Sequence, residues 1–520
     1  MNLSKASRNL YILGLCLFAA SLPLSKTGLT VAQIVLGLAW ILNTDYKSKA
    51  QLLIQNKILW WFFALFLLHF LFLYNTENFD YAWRDITIKV PLLIIPFIIA
   101  SLPVPSHKEL LWIVGFFIAA VIVVALIGLT MYYFGEWGLG EKIINYRGLS
   151  PFVSHIRFSL MSCFVITLLV FGYKEKFISF WIALPIALVL VLHLIIMEAI
   201  TGIGILLLIG LPLFMKLMGW RYKKDGAKIL YISSILAATA GFFLLYEAKD
   251  IFIAKDERMA SLQKTAQGNE YFNDEMNTAK ENGYYIHRYI CIKELHEEWN
   301  KRKTKYKFNS LNQKESAYLE GTLIRYLTSM GLKKDAEGVK KLSDEDIAYI
   351  EIGEANAKNV HMNPIRKRIR ELLWETDAYI ANPSPGGNSL TQRFVFWKTG
   401  LDIIQTYPLT GVGTGDVQDA FDKQYEINQS PLDKEHRLHT HNQYITFWVS
   451  FGVFGLLFFL TMITHLYFHS RDLEFRFVSQ LFAIIMILSM ITEDTLETQA
   501  GVSLFVFFFS LLWTRQTAEE

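Results

Sequence analysis

The stretch ELLWIVGFFIAAVIVVALIGLTMYYF, from Glu109 to Phe134, decides the class of fold. After its first residue it carries no Asp, Glu, Lys or Arg, so a helix built from it is apolar on every face. A helix needs about 20 such residues to cross a hydrocarbon core about 30 Å thick. The stretch therefore predicts a membrane-spanning helix.

The composition of the whole chain agrees with this interpretation. Its 520 residues are 53% hydrophobic and 15% aromatic, which is more apolar than is typical of a soluble protein of this length. The formal net charge of +3 is too small to indicate nucleic-acid binding. The 3 cysteines are scattered and form neither a disulfide framework nor a metal-ligand spacing. We predict a polytopic membrane protein with no nucleic-acid partner.

Apolar runs of about 17 to 26 residues recur along the chain, which is the length of a membrane-spanning helix. Nine runs precede a long polar stretch and three follow it, so we expect an all-α fold with about twelve transmembrane helices. No small-x-small cleavage site follows the first run, which is therefore expected to be retained. The runs cover roughly residues 9–25, 27–43, 57–74, 86–102, 109–134, 150–172, 177–197, 199–217, 228–246, 444–468, 475–492 and 497–514.

Lysine and arginine are unevenly distributed between alternate loops, and this asymmetry predicts orientation because cytoplasmic loops are enriched in both. With the N-terminus inside, few of these residues fall in the outer loops, namely Lys26, Arg84, Lys142 and Arg147. The inner loops hold many more, namely Lys47, Lys49, Lys57, Lys108, Lys174, Lys176, Lys216, Arg221, Lys223, Lys224, Lys228, Arg471 and Arg476. Both termini are therefore expected in the cytoplasm and the polar stretch outside.

Changes in composition divide the chain into four segments. We assign residues 1–246 to the first nine helices and 247–388 to a helical extracytoplasmic subdomain between helices 9 and 10. Residues 389–443 form an extracytoplasmic segment with the candidate catalytic groups, and 444–520 form the last three helices.

Local signals predict several helices in the polar stretch. Tyr284 to Lys305 has apolar residues at near-helical spacing. Ser343 with Asp346 forms a capping-box pattern. Asn363 followed by Pro364 predicts an N-cap before a basic helix. A further amphipathic helix is expected from Thr391 to Thr406.

His439, His441 and Asn442 stand where the polar stretch gives way to an apolar run, in the sequence HTHNQYITFWVSFGVFG from His439 to Gly455. The His-x-His spacing alone is a weak metal signal. Histidine is suited to act as a general base or a phosphate contact because its pKa lies near ambient pH. The alternative is an ordinary residue of the membrane interface.

Arg393 lies near the start of a predicted helix. A helix N-terminus is already positive, so an arginine there indicates either a bound anion nearby or a solvated side chain. The glycine run GVGTG, Gly411 to Gly415, follows Pro408. It could form a backbone nest for phosphate, but a plain turn is favoured because no strand precedes it.

Ionisable residues also occur beside the apolar runs. Those around the sixth run are Arg147, His155 and Arg157. A charge inside an apolar helix faces either a cavity or the headgroups. Glu493 and Glu497, with Asp494 between them, lie at the outer end of the eleventh run. They form either a solvated cluster at the membrane edge or acidic contacts to a substrate. Because the cationic and imidazole candidates lie on the outer side, the arrangement fits an anionic, lipid-tethered substrate.

One set of residues resembles a known family, the O-antigen ligase and O-antigen polymerase superfamily, and it is closest to O-antigen ligase. The shared pattern is an arginine-led helix, a P-x-x-G-x-G turn, and His-Asn followed by nine residues and G-x-x-G. The residues that carry it are Arg393, Trp397, Pro408, Gly411, Gly413, His441, Asn442, Gly452 and Gly455. Twelve helices with one large outer loop are similar to that family as well.

The resemblance implies a GT-C-like glycosyltransferase in the bacterial inner membrane with a periplasmic loop. It implies an inverting transfer of a glycan from undecaprenyl diphosphate to lipid A core or another glycan, with no metal or other cofactor. His441 would act as base or position the acceptor, while Arg393, with Arg157 or Arg147, would neutralise the leaving diphosphate. Asn442, His155 and His439 are further candidate substrate contacts, and Glu493 and Glu497 are candidate acidic contacts.

The chain departs from the family in one place. Relatives often carry a Ser-Arg pair at the start of the eighth run, where this chain has EAITGIG, Glu198 to Gly204. Alternatives within the enzyme class are an O-antigen or exopolysaccharide polymerase and a protein O-oligosaccharyltransferase. A lipid-linked sugar transporter or flippase is the non-enzyme alternative, although its usual two similar halves are not evident here.

Overall fold

Helices dominate the computed structural model, which describes residues 3–135, 146–220, 222–256, 261–313, 317–383, 389–468 and 475–513. The chain forms two units, each with its own internal packing. Unit 1 comprises Met1–Lys224 and Val395–Glu520, and unit 2 comprises Asp225–Phe394.

The helices of unit 1 are mostly long and apolar. Those before unit 2 are α1 (Leu3–Leu24), α2 (Lys26–Leu42), α3 (Tyr46–Gln55), α4 (Lys57–Leu71), α5 (Phe79–Lys89), α6 (Pro91–Ser101), α7 (His107–Phe134), α8 (His155–Lys174), α9 (Phe180–Ile196) and α10 (Ile200–Met218). Two helices include the unit boundaries, α11 (Tyr222–Phe252) and α17 (Ser389–Thr406). Unit 1 ends with α18 (Val417–Ile427), α19 (Gln443–Phe468), α20 (Arg476–Thr492) and α21 (Gln499–Trp513).

Most predicted apolar runs coincide with a single helix, but the run at 444–468 is interrupted at Gly452 and the run at 86–102 forms two helices. There α5 ends at Lys89 and α6 begins at Pro91. Proline has no N–H to donate to the carbonyl of Thr87, and its ring crowds that carbonyl, so a continuous helix is disfavoured. The prediction of one helix over 86–102 was therefore wrong, and the break leaves Lys89 at a helix end inside the protein.

Six helices in the described part of the chain are long and apolar enough to cross a membrane, or seven if the bent pair α2 and α3 counts as one span. Shorter apolar helices include Leu59–Leu71, Phe180–Ile196, Arg476–Thr492 and Gln499–Trp513. The chain is a polytopic helical membrane protein, while the total of about twelve spans stays a prediction.

The packing of unit 1 is built around α21. Its residues from Ala500 to Leu512 are all buried, and it packs against α6. The helix α8 is largely buried too, between α10 and α20. In contrast, α7 and α10 expose large apolar side chains on one side. A helix that is apolar all round yet exposed on one face fits a lipid-facing position.

Unit 2 is built from short helices around a small core that includes Trp299, Leu323 and Tyr326. Its elements after α11 are β1 (Lys280–Glu281), β2 (Tyr284–Tyr285), α12 (Ile292–Lys301), α13 (Leu319–Ser329), α14 (Ala336–Lys340), α15 (Asp344–Glu351) and α16 (Pro364–Ala381). The capping box of Ser343 with Asp346 is confirmed, as is the N-cap of Asn363 before α16.

The predicted helix from Tyr284 to Lys305 was wrong in its first part. Tyr284 and Tyr285 pair with β1 in an antiparallel hairpin, and the helix covers only Ile292–Lys301. The turn residues Asn282 and Gly283 have φ angles of 51° and 89°. Asn-Gly is the strongest short hairpin signal because both central residues of this turn need positive φ. The fold is thus mainly α with one small hairpin.

A buried ionic cluster joins three elements of unit 2 around Arg370. Its guanidinium donates to Glu247 at 2.7 Å, to Asp250 at 3.0 Å and to Asn282 at 2.6 Å. Arg366 adds a 2.7 Å bond to the other oxygen of Glu247, which is fully buried. The cluster fixes α16 to the end of α11 and to the hairpin.

Candidate active site

The two histidines of the sequence motif precede α19 and meet the loop between α20 and α21. His439 Nδ1 lies 2.8 Å from Asp494 Oδ2, and the other oxygen of Asp494 accepts a 2.8 Å hydrogen bond from the hydroxyl of Thr446. Asp494 is 2% exposed. A buried carboxylate with both oxygens bonded fixes the orientation of the imidazole and favours its protonated form.

The pKa of His439 follows from the balance of these contacts. Burial lowers it, but the hydrogen bond to Asp494 and the negative charges of Asp494 and Glu497 outweigh burial, so the pKa is raised above its ordinary value. Burial raises the pKa of Asp494, but the hydrogen bond and charge of His439, with the charge of His441, hold it below its ordinary value. His439 and Asp494 therefore favour the ion-pair state.

His441 lies beside His439, with 5.9 Å between the ring centroids, and is 5.7 Å from the ring of Phe396 in α17. Its Nδ1 is 3.8 Å from Glu493 Oε2, and its side chain is 30% exposed. The backbone of His441 has φ 47°, an uncommon conformation for a residue with a side chain. Strained backbone of this kind is concentrated at functional sites.

Arg157 meets the same carboxylate. Its Nη1 is 3.8 Å from Glu493 Oε2, while its Nε donates to the hydroxyl of Thr498 at 3.1 Å. Its side chain is 13% exposed. Arg157, His441 and Glu493, which the sequence placed in separate segments, thus form one cluster in unit 1.

Asn442 and Gln443 fix the histidine segment to its surroundings. The Asn442 side-chain oxygen accepts hydrogen bonds from the backbone N–H groups of Tyr444 and Ile445, which caps α19, and its amide donates to the carbonyl of Ile491. Gln443 donates to Glu497 at 2.9 Å and accepts from the backbone of Leu496 at 2.7 Å. Asn442 thus holds the 439–443 segment against the end of α20, and Gln443 holds it against the 493–498 loop. A substrate contact by Asn442 stays a prediction.

A buried lysine that sequence reasoning did not select completes the cluster. Lys89 is 1% exposed and forms hydrogen bonds with both Asp85 and Glu497. Asp85 is in turn 4.0 Å from His69. The signal was present, since a lysine within an apolar run carries the same implication as an arginine there. The cluster therefore includes Lys89, Asp85 and Asp494 in addition to the predicted Glu493 and Glu497.

The glycines of the motif join two segments rather than pack a straight helix. The helix α19 is interrupted at Gly452, which has φ 66° and ψ −172°. A Cβ there would lie 2.0 Å from the carbonyl oxygen of Leu409. The N–H of Val453 donates to Pro408, and that of Val412 donates to Val449. Gly452 therefore permits the Pro408 turn to lie directly on the broken helix.

The GVGTG segment is a docked turn. Its glycines Gly411 and Gly413 have φ 63° and 99°. All five backbone N–H groups from 411 to 415 donate to protein oxygens, which belong to Tyr407, Val449, Ser450, Phe72 and Thr76. None of these groups is directed at a ligand, so the plain-turn interpretation is confirmed over a phosphate nest.

The other predicted site residues lie on three separate helices. Arg393 is in the second turn of α17, within unit 2, where Nη1 approaches the carbonyl of Ser389 at 3.5 Å. His155 is the first residue of α8 and is partly buried. Arg147 lies in a short 3₁₀ helix, Tyr146–Leu149, and its side chain is outside the described residues.

A cleft of about 840 Å³ opens beside Arg157 in unit 1. Its lining carries three basic side chains, Lys26, Arg84 and Arg157, with Glu497 at one edge. The first turn of α21, with Gln499 and Ala500, lines it too. A helix N-terminus and three cations make the cleft attractive to an anion.

The described residues contain no group of three or more His, Cys, Asp or Glu side chains that could hold a metal ion. The prediction that transfer needs no metal or other cofactor concerns the reaction and stays a prediction.

The fold and this site define a polytopic helical membrane protein with a histidine–carboxylate cluster beside a cation-lined cleft. Residues 354–460 match the family model described as O-antigen ligase, so the resemblance to that family is confirmed over this segment. The matched range includes Arg393, His441, Asn442 and the motif glycines, whereas Arg157 and the 493–498 loop lie outside it. A comparison with curated proteins found no match.

Proposed function

We propose that the protein transfers a glycan from undecaprenyl diphosphate to an acceptor hydroxyl at the outer face of the bacterial inner membrane, with lipid A core as the acceptor. In this proposal both termini are cytoplasmic and the polar stretch is periplasmic. The observation that carries it is the contact of one carboxylate, Glu493, with both His441 and Arg157, of which Arg157 also lines the cleft. The family match supports a membrane enzyme of the ligase and polymerase type.

The proposed reaction is a single displacement with inversion and without a metal. A bond forms between the acceptor oxygen and the anomeric carbon while the bond from that carbon to the phosphate oxygen breaks. His441 takes the proton of the hydroxyl or positions it, and the lipid diphosphate leaves. Positive charge placed where the leaving group becomes more negative lowers the barrier.

The cleft beside Arg157 fits the diphosphate in this proposal. Arg157 is held by Thr498 and Ser154, so its guanidinium is already oriented before a ligand binds. Preorganised donors of this kind need little rearrangement during the reaction. Lys26 and Arg84 add charge along the cleft. Arg393 and Arg147 remain in the proposal on the sequence argument, together with His155.

The deciding experiment is transfer by the purified protein in lipid nanodiscs with undecaprenyl-diphosphate-linked glycan. Lipid A core, a second lipid-linked glycan and a serine-containing protein are offered separately. Product on the first acceptor supports a ligase, on the second a polymerase and on the third a protein O-oligosaccharyltransferase. Movement of the donor between leaflets with no product in any arm would contradict the proposal and favour a flippase. Full activity in a metal-chelating buffer is expected.

The site assignment is tested with His441→Ala. Loss of a positioned proton acceptor lowers turnover by about 10²- to 10⁴-fold. His436→Ala is the matched control, because His436 is exposed in a neighbouring 3₁₀ turn and is expected to leave transfer unchanged. Wild-type turnover in His441→Ala would remove His441 from the mechanism.

A further inference from the structure

Lys89 and Glu497 form a pair of opposite charges behind the histidine segment. Lys89 lies at the break between α5 and α6, and Glu497 precedes α21. They bond directly, and Glu497 continues to Gln443, two residues after His441. Gln443 is fully buried, so α5, the start of α19 and the 493–498 loop are joined by one continuous set of bonds.

A small cavity is lined by His439 and by one member of this pair, Glu497. His439, Asp85 and Glu497 all line it, together with His69, Tyr81 and Thr446. Its volume of about 20 Å³ has room for about one water. Charges that face one another across so small a space, away from bulk solvent, interact much more strongly than charges on the surface.

Each surrounding element presents titratable or charged groups to His439. They are His69 from α4, Tyr81, Asp85 and Lys89 from α5, His441 from its own segment, and Asp494 and Glu497 from the 493–498 loop. Asp494 bonds the imidazole directly and orients it. Lys89 and Glu497 act on it without contact and with opposite sign, since Glu497 raises its pKa and Lys89 lowers it.

We propose that Lys89 and Glu497 are positioning residues whose opposite charges set the charge of His439, and through it the affinity for the diphosphate of the lipid-linked donor. The proposal rests on the function proposed above. A protonated His439 adds a positive charge to those of Arg157 and the cleft, and an anion gains from each cation within reach. Lys89 does not line the cleft, whereas Glu497 does, so the effect of Glu497 through His439 is recognised by the pH dependence of donor affinity.

The signs of the expected effects are opposite. Glu497→Gln removes a negative charge, so His439 loses its proton at a lower pH, and donor KM begins to rise with pH at a lower pH than in wild type. Lys89→Met removes a positive charge, so His439 stays protonated to a higher pH. Donor KM is therefore expected to stay low to a higher pH than in wild type. The double variant Lys89→Met with Glu497→Gln restores the net charge, so His439 is expected to titrate at nearly the same pH as in wild type.

The test follows His439 directly by NMR of protein labelled with ¹³C-histidine, with the resonance assigned by its loss in His439→Gln. Donor KM and kcat are measured over the same pH series. The proposal is supported if the pH at which His439 titrates shifts in opposite directions in the two single variants, and if donor KM changes more than kcat. Shifts of the same sign, or no shift, overturn it, because a purely structural role gives no reversal of sign.

Two controls keep the result decisive. Lys216→Met removes the lysine of another ion pair in unit 1, with Glu175 at 2.8 Å, and is expected to leave the His439 titration unchanged. If Lys89→Met does not fold, the comparison of Glu497→Gln with the double variant decides. Only the proposal predicts that the His439 titration shifts in Glu497→Gln and returns towards the wild-type pH in the double variant. If wild type transfers no glycan, the function proposed above fails, while the NMR titration still tests the charge coupling.

Discussion

Two groups of charged side chains in this protein differ in the length of their contacts. In unit 2, Arg370 uses its guanidinium on Glu247, Asp250 and Asn282 at 2.6 to 3.0 Å, and Arg366 meets the second oxygen of Glu247. In unit 1, Glu493 lies 3.8 Å from both His441 and Arg157, and His441 is 30% exposed.

The difference separates a structural cluster from a functional one. Short, mutual bonds between fully buried groups hold elements together, and removal of one partner leaves an uncompensated charge. Longer contacts at the edge of a cleft leave the same groups able to exchange partners with a substrate. The comparison predicts that substitution of Arg370 changes stability, whereas substitution of His441 or Glu493 changes affinity and turnover.

The largest expected effect on stability is that of Arg370→Met. Glu247 would keep only Arg366, and breaking a buried ion pair in this way costs about 3–5 kcal/mol. Thermal unfolding of the detergent-solubilised protein is expected at a clearly lower temperature. A midpoint equal to that of wild type would show that the cluster in unit 2 is not structural.

Asp494→Asn should change donor affinity and its dependence on pH. Asparagine carries no charge, so the pKa of His439 falls and the imidazole loses its proton at a lower pH. Donor KM near pH 7.5 should rise by about tenfold, equivalent to about 1.4 kcal/mol. The gap to wild type should narrow as the pH falls, because the imidazole of the variant then gains its proton as well. A KM ratio that does not vary with pH would contradict this assignment.

Glu493→Gln should have a smaller effect and the opposite sign. The carboxylate lies near Arg157 and competes with an anionic ligand for it, so its neutralisation should lower donor KM by about threefold. Glutamine keeps the size and hydrogen-bonding capacity of the side chain, so the unfolding temperature should fall less than in Arg370→Met. A large loss of stability would place Glu493 with the structural cluster instead.

Lys358→Met provides the smallest change and a control for Arg370→Met. Lys358 donates to Asp250 at 2.8 Å, but its side chain is 45% exposed. An ion pair open to solvent contributes about 0–1 kcal/mol, so the unfolding midpoint should hardly move. A loss as large as that of Arg370→Met would mean that charge alone, and not burial, decides stability in this unit.

Much of the helical fold could be predicted from the sequence because apolar runs report helices through composition alone. The helix ends at Phe134 and Phe468 coincide with the predicted ends of their runs. The capping patterns at Ser343 and Asn363 are also local. The hairpin at Asn282 and Gly283 was missed although its signal is local, since the helical spacing after Tyr284 was given more weight.

The candidate site could be predicted only in part. His441 and Glu493 were selected because each is unusual within its own segment. Their proximity, and that of Arg157, involves residues more than 50 positions apart in the chain and has no local signature. Lys89 had a local signal that was overlooked.

The sequence by itself determined the class of protein, its helices and the family motif, because these depend on composition and spacing within single segments. Tertiary structure decided which charges are paired. It brought Asp494 into hydrogen-bond contact with His439, Glu493 close to both His441 and Arg157, and Lys89 into an ion pair with Glu497. The physical reason is that burial of an ionisable group is favourable only beside a compensating partner, and the partner can come from any part of the chain.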